Sequence, residues 1–174
     1  ENHTRNKELL KYAQTDALTG LYNKETTEQL TDELLSEDEN KSHAFLILDV
    51  DCFKQINDIY GHAVGDIVLQ KFGKLLKGTF REGDILGRIG GDEFGVIMKN
   101  IQTKDIAMKK AGELLAKTQA YKIDELKGNN ISISIGISTA PQDGDCYMDL
   151  YKRADQALYQ AKRSGKARVC NYFS

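Results

Sequence analysis

The sequence predicts an α/β domain with a central mixed β-sheet surrounded by helices. Three observations carry this. Ala44-Phe45-Leu46-Ile47-Leu48 is a continuous apolar run, the mark of a strand covered on both faces. Ile131-Ser132-Ile133-Ser134-Ile135 alternates with period two, the mark of a strand with one covered face. Ile67, Val68, Phe72, Leu75, Leu76 and Phe80 recur at helical spacing between them. Strands separated by long amphipathic helices define the class. With 174 residues, the chain has the length of one domain.

Taken in order, residues 1–15 are polar, with Leu9, Leu10 and Ala13 as a weak helical stripe. They read as the end of a helix arriving from an upstream region. Thr19-Gly20-Leu21-Tyr22-Asn23 is a turn. Leu30, Leu34 and Leu35 mark a helix from Lys24 to about Ser36, and Glu37 to Ser42 is a charged loop. The apolar strand ends in Asp49-Val50-Asp51. A short helix follows from Phe53 to Tyr60, for which Asp51 is a plausible N-cap. Gly61 to Asp66 is a turn before the long helix. Ile85 to Ile89 and Phe94 to Met98 are short strands around Gly90-Gly91-Asp92-Glu93, a hairpin signal. Ile106, Ala107, Ala111, Leu114 and Leu115 mark another helix. After the alternating strand, Leu150, Tyr151, Ala154, Leu158 and Ala161 mark the last one, and Arg168 to Tyr172 reads as a closing strand.

Composition excludes several classes. Lys and Arg number 24 against 26 Asp and Glu, a net charge of −2, which argues against a nucleic-acid-binding surface. The longest apolar run is far short of the roughly 18 residues of a membrane span, so no membrane contact is expected from this stretch. No signal peptide is visible. Cys52, Cys146 and Cys170 are an odd count without a CxxC pair, which disfavours a disulfide framework or a zinc site. A reducing cytoplasm fits. The chain starts at Glu1 rather than Met, which reads as a fragment of a longer protein whose own membrane anchoring is left open.

Asp49 needs explaining. It follows five apolar residues on a strand that should be buried. An ionised carboxylate there is costly unless paired or bound to a metal. Asp51, two residues on, leans to the same side. If the hairpin lies beside this strand, Asp92 and Glu93 join them. Like charges that close need a cation, and oxygen-only ligands suit Mg²⁺. The plainer readings are a strand-end carboxylate bonded to a helix N-terminus for Asp49, and an N-cap for Asp51. Gly90 and Gly91 either provide positive φ for a tight turn or let a nucleotide approach the backbone.

Gly90-Gly91-Asp92-Glu93-Phe94 resembles the signature of the GGDEF domain family, the diguanylate cyclases. The resemblance extends to Asp16-Ala17-Leu18-Thr19-Gly20-Leu21-Tyr22-Asn23, to Asp49-Val50-Asp51-Cys52-Phe53-Lys54-Gln55-Ile56-Asn57-Asp58 and to Gly61-His62-Ala63-Val64-Gly65-Asp66. Ser134-Ile135-Gly136-Ile137 and Asp155-Gln156-Ala157-Leu158-Tyr159-Gln160-Ala161-Lys162 complete it, in order, from about Asp16 to Val169. It divides the chain into an upstream signalling or linker helix, 1–15, and a GGDEF domain, 16–174. The implied fold resembles a polymerase palm or nucleotide cyclase.

The resemblance implies condensation of two GTP into cyclic di-GMP with release of two pyrophosphates, using Mg²⁺, with Mn²⁺ as a substitute. It assigns metal binding to Asp49, the Val50 carbonyl, Asp92 and Glu93, with Asp92 also accepting the proton. Lys54 is placed with Asp92 and Glu93 in the catalytic group. Asn57 and Asp66 match positions that read guanine, whose N1–H and N2–H₂ suit a carboxylate. Gly90 and Gly91 border the nucleotide, and Lys54, Lys162 and Lys166 match positions that meet the triphosphate. Two departures stand out: Lys24 and Lys166 occupy places where the family commonly has Arg, which keeps the charge but loses the bidentate fork. Arg81-Glu82-Gly83-Asp84 resembles the RxxD motif that binds cyclic di-GMP as an inhibitor. His62 reads as a packed turn residue. The two-fold product implies a homodimer for turnover. The competing readings are a catalytically silent module that senses GTP or cyclic di-GMP, and another palm-type nucleotidyl transferase.

Overall fold

A computed structural model describes residues 2–37 and 39–172. Glu1, Phe173 and Ser174, at the outer ends of the two expected divisions, lie outside the described residues, as does Asp38 of the expected loop. The elements are α1 (Asn2–Gln14), α2 (Lys24–Glu37), β1 (His43–Val50), α3 (Phe53–Tyr60), α4 (His62–Thr79), β2 (Ile85–Arg88) and β3 (Glu93–Met98). They continue with α5 (Lys104–Ala120), β4 (Ile133–Ala140), α6 (Tyr147–Arg163) and β5 (Val169–Asn171). The sheet is five-stranded in the order β2-β3-β1-β4-β5. Every pairing is antiparallel except β4 with β5, which makes the sheet mixed as predicted.

β1 lies at the centre and every one of its residues is buried. Its two-residue period sorts the core into two layers. Leu46, Leu48 and Val50 face a cluster with Val68, Phe72 and Leu76 of α4 and Ala111 and Leu114 of α5. Phe45 and Ile47 face Tyr147, Leu150, Ala154 and Leu158 of α6. Aromatic edges fix both layers: Phe72 meets Phe94 at 4.9 Å between ring centroids, and Phe45 meets Tyr147 at 5.4 Å. By the same period, Asp49 belongs to the α6 layer.

Three local expectations are corrected. The turn expected over Gly61 to Asp66 shrinks to Gly61, whose φ of 90° separates α3 from α4, and α4 begins at His62. His62 is exposed rather than packed. β4 starts at Ile133, and both of its faces are buried. Its serines stay polar for a reason: Ser138 Oγ donates to the Leu150 carbonyl at 2.8 Å, and Ser134 Oγ serves a carboxylate described below. α1 has no buried residue, and Leu9, Leu10 and Tyr12 are exposed. Among the described residues no helix is long and apolar enough to cross a membrane.

Gly136 sets how closely α6 lies on the sheet. A Cβ there would sit 2.1 Å from the Ala154 carbonyl oxygen and 2.3 Å from the Leu158 nitrogen. Both obstacles are backbone, so the whole helix would have to move. Gly136→Ala should therefore cost about 3 kcal/mol, the upper end of ordinary overpacking, read from the midpoint of urea unfolding. A change below about 0.5 kcal/mol, the usual range for a harmless surface substitution, would show that α6 is not seated this way.

Candidate active site

β1 and β3 pair in a register that sets Asp49 directly opposite Glu93. The hairpin therefore does lie beside the first strand. The Val50 N–H donates to the Asp92 carbonyl at 3.3 Å, which knits the end of β1 to the hairpin turn. Asp49 is 7% exposed. Lys162, from the last turn of α6, donates to its Oδ2, and its buried Oδ1 has no hydrogen-bond partner among the described residues. The helix-N-terminus alternative for Asp49 is thus replaced by a lysine partner. Burial, first, and the neighbouring Asp92 raise the Asp49 carboxyl to about 7 against the pull of Lys162. Burial pulls Lys162 down, but Asp49, Asp92 and Asp51 outweigh it and hold the ammonium above its ordinary range.

Glu93 behaves differently from its neighbours. Its Oε1 accepts a hydrogen bond from the Tyr151 hydroxyl at 2.8 Å. Burial and the charges of Asp155 and Asp92 raise its carboxyl despite that bond. Burial and Glu93 likewise raise the Tyr151 hydroxyl. The carboxylates of Asp49, Asp92 and Glu93 do not all lie within 4.8 Å of one another. Asp49 and Asp92 adjoin, and Glu93 is engaged by Tyr151. Sequence reasoning missed Tyr151 because its spacing on α6 marks it only as a core position.

Gly90 and Gly91 are exposed in the turn, and neither has a positive φ in the left-handed range. The backbone-conformation reading therefore fails. A Cβ on Gly91 would meet nothing within 4 Å among the described residues, so packing does not require the missing side chain there. The turn is held from behind by Arg88, which the sequence reading also missed. Its Nε and Nη2 donate to the Gly91 carbonyl at 3.1 and 2.7 Å. Its Nη1 reaches Asp16 at 3.2 Å. Asp16 Oδ2 in turn accepts from the Thr19 N–H at 2.9 Å and the Thr19 hydroxyl at 2.8 Å.

The other predicted residues fall around this centre. Lys54 is exposed in the first turn of α3. Asn57, half-buried on α3, packs against Gly65 of α4: a Cβ there would lie 1.9 Å from Asn57 Oδ1. Asp66 is exposed on α4 next to Gly65, in the second turn of the helix. The Gly61 junction thus brings both candidate guanine readers to one α3–α4 edge. Lys166 is exposed, with its Nζ 3.1 Å from Cys52 Sγ. Cys52, not Asp51, is the N-cap of α3, and it makes no side-chain cap. The Asp51 carboxylate instead accepts from Ser132, Ser134 and the Ala167 N–H.

Arg81 and Asp84 stand at the start of β2, the opposite end of the hairpin from Gly90. Asp84 is 8% exposed, and its carboxylate accepts from the Arg81 N–H, the Arg81 guanidinium and the Lys99 N–H. The Arg81 guanidinium also meets the Lys99 carbonyl. Arg81 and Asp84 line a groove of about 640 Å³ together with Lys7, Lys11 and Lys77.

The family description "Diguanylate cyclase, GGDEF domain" matches residues 13–168, and the chain belongs to that family. It is 37% identical over 171 residues to Diguanylate cyclase A of Treponema denticola, covering 94% of this chain and 46% of that protein. It spans about half or less of the length of the curated relatives it matches. Among solved structures it is similar to the GGDEF domain of TpbB from Pseudomonas aeruginosa. That likeness has a TM-score of 0.86 and 33% identity, over 91% of this chain and 94% of that one. It is also similar to the GGDEF domain of DgcB from Caulobacter crescentus in complex with c-di-GMP. Here the TM-score is 0.85 and the identity 27%, over 93% of this chain and 94% of that one.

The Asp16–Arg88 brace yields a prediction. Burial raises the Asp16 carboxyl, but the two Thr19 hydrogen bonds and Arg88 win and hold it below its ordinary 3.8. A folded-state value below the unfolded one stabilises above the unfolded value and is lost as pH falls through the folded one. Asp16→Asn should cost about 1 kcal/mol at pH 7, and the difference from wild type should narrow as pH falls below about 4 in acid unfolding curves. A difference that stays constant as pH falls would assign the effect to something other than the carboxylate charge.

Proposed function

We propose that this chain is a catalytically competent diguanylate cyclase domain that condenses two GTP into cyclic di-GMP, with Mg²⁺ at Asp49, the Val50 carbonyl, Asp92 and Glu93. The carrying observation is the buried, unpartnered Oδ1 of Asp49 beside Asp92. A hard oxygen donor left without a partner, next to a second carboxylate, fits a hard divalent cation such as Mg²⁺ or Mn²⁺. A bound cation of this kind neutralises charge at the α-phosphate and the leaving oxygen.

The chain's own residues supply the rest. In each half-reaction the 3′-hydroxyl of one GTP forms a bond to the α-phosphorus of the other, and the bond to the pyrophosphate oxygen breaks. Asp92 takes the hydroxyl proton. Gly90 and Gly91 let the phosphates approach the turn backbone, and Lys54, Lys162 and Lys166 offset their charge. Asn57 and Asp66 pair with the guanine edge, whose mismatch with adenine leaves polar groups unpaired. One chain holds one such set, so a two-fold pair of chains serves both half-reactions. Residues 1–15 form the connecting helix and 16–174 the cyclase domain in this reading. Arg81 and Asp84 bind the product as an inhibitor, with Arg81 as the exposed anion contact and the nearby Lys7, Lys11 and Lys77 favouring a polyanion.

Incubation of concentrated protein with GTP and Mg²⁺, followed by nucleotide chromatography, should yield cyclic di-GMP and pyrophosphate. Asp92→Asn should lower turnover about 10³-fold, the scale of losing a general base, with melting unchanged within a few degrees. Product absent from the wild type, or a wild-type rate in the variant, would refute this assignment and favour a silent nucleotide-sensing module.

Arg81→Ala should raise the cyclic di-GMP concentration for half-inhibition about tenfold, the weight of one charge-assisted hydrogen bond. An unchanged half-inhibition would remove Arg81 from the inhibitory site.

A further inference from the structure

Asp51 makes none of the contacts expected of a cap. It is 7% exposed, and both of its carboxylate oxygens accept hydrogen bonds. Ser134 Oγ donates to Oδ1 at 2.6 Å, Ser132 Oγ to Oδ2 at 2.6 Å, and the Ala167 N–H to Oδ2 at 3.1 Å. Its own N–H donates to the Ser132 carbonyl at 2.8 Å. One side chain thus joins the end of β1, the start of β4 and the turn that follows α6.

That turn is unusual. Gly165, Lys166 and Ala167 have φ of 118°, 63° and 50°, three consecutive residues in the left-handed range, two of them not glycine. Such a backbone persists only where its surroundings over-determine it. The Lys166 N–H is held by the Ala161 carbonyl at 3.0 Å, on the helix side. On the sheet side, the Ala167 N–H is held by Asp51. The outcome is the placement of Lys166, whose Nζ lies 3.1 Å from Sγ of Cys52, the residue after Asp51.

We propose that Asp51 is a positioning residue for triphosphate recognition: its buried carboxylate latches the left-handed 165–167 turn to the end of β1 and so aims Lys166 at the nucleotide. The proposal rests on the reading that the site takes GTP. It explains why an acidic residue stands next to a phosphate site without repelling its ligand. Its charge is spent on two hydroxyls and an amide, and what it presents outward is the Lys166 ammonium.

The test is a double-mutant cycle by calorimetry in Mg²⁺. The ligands are a GTP analogue with a methylene α–β bridge, and GMP. Asp51→Ala and Lys166→Ala should each weaken the analogue about tenfold and leave GMP within twofold, and the double variant should be no weaker than either. Amide exchange at Ala167 should be at least tenfold faster in Asp51→Ala and unchanged in Lys166→Ala. If Asp51→Ala does not fold, Asp51→Asn replaces it. That variant keeps the shape, exchanges one acceptor for a donor, and should show the same pattern at reduced size. Additive losses, an equal loss for GMP, or wild-type exchange at Ala167 would overturn the latch while leaving the nucleotide site intact. A wild-type chain that does not bind the analogue would overturn the site itself, and the latch's role with it.

Discussion

The structure depends on a carboxylate near the end of its central, fully buried strand. β1 is covered on both faces, and the alternation that places Phe45 and Ile47 against α6 places Asp49 there too. Transfer of that charge from water is costly unless something answers it. Lys162 answers one oxygen, and the other has no partner among the described residues. Lys162 arrives on α6, and α6 reaches the sheet only because Gly136 has no side chain. Core packing and site electrostatics are therefore one problem, solved by the seating of a single helix.

A second constraint acts on the hairpin turn. Its outer side is exposed, and its support comes from behind and from the sides. Arg88 ties the Gly91 carbonyl to Asp16, and so to the turn that precedes α2. Tyr151 holds Glu93, and the Val50 N–H holds the Asp92 carbonyl. These contacts come from four separate stretches of chain. Pre-organisation of this kind keeps a polar site in place without filling it.

Much of the architecture was legible in the sequence. The run from Ala44 to Leu48 identified the central strand, and the turn around Gly90 identified the hairpin, because periodicity and turn chemistry are local properties. The exceptions have local causes too. Ser132 and Ser134 made β4 resemble a half-exposed strand, whereas Ser134 and Ser138 are buried through hydrogen bonds that no pattern of residue types reveals. The 61–66 turn was overread because one glycine at positive φ separates two helices.

By itself the sequence determined the element order, the strand that carries the site, the anomalous Asp49 and the family motifs. Tertiary structure alone decided which oxygen of Asp49 is satisfied, that Glu93 turns to Tyr151, that Arg88 braces the turn, and that Asp51 serves the 165–167 turn rather than a cap. The reason is separation along the chain. Asp51 and Ala167 are 116 residues apart, and Asp49 and Lys162 are 113 apart. Residue spacing reports what a backbone does within a few residues, whereas the partner of a buried charge is chosen by how the helices close over the sheet.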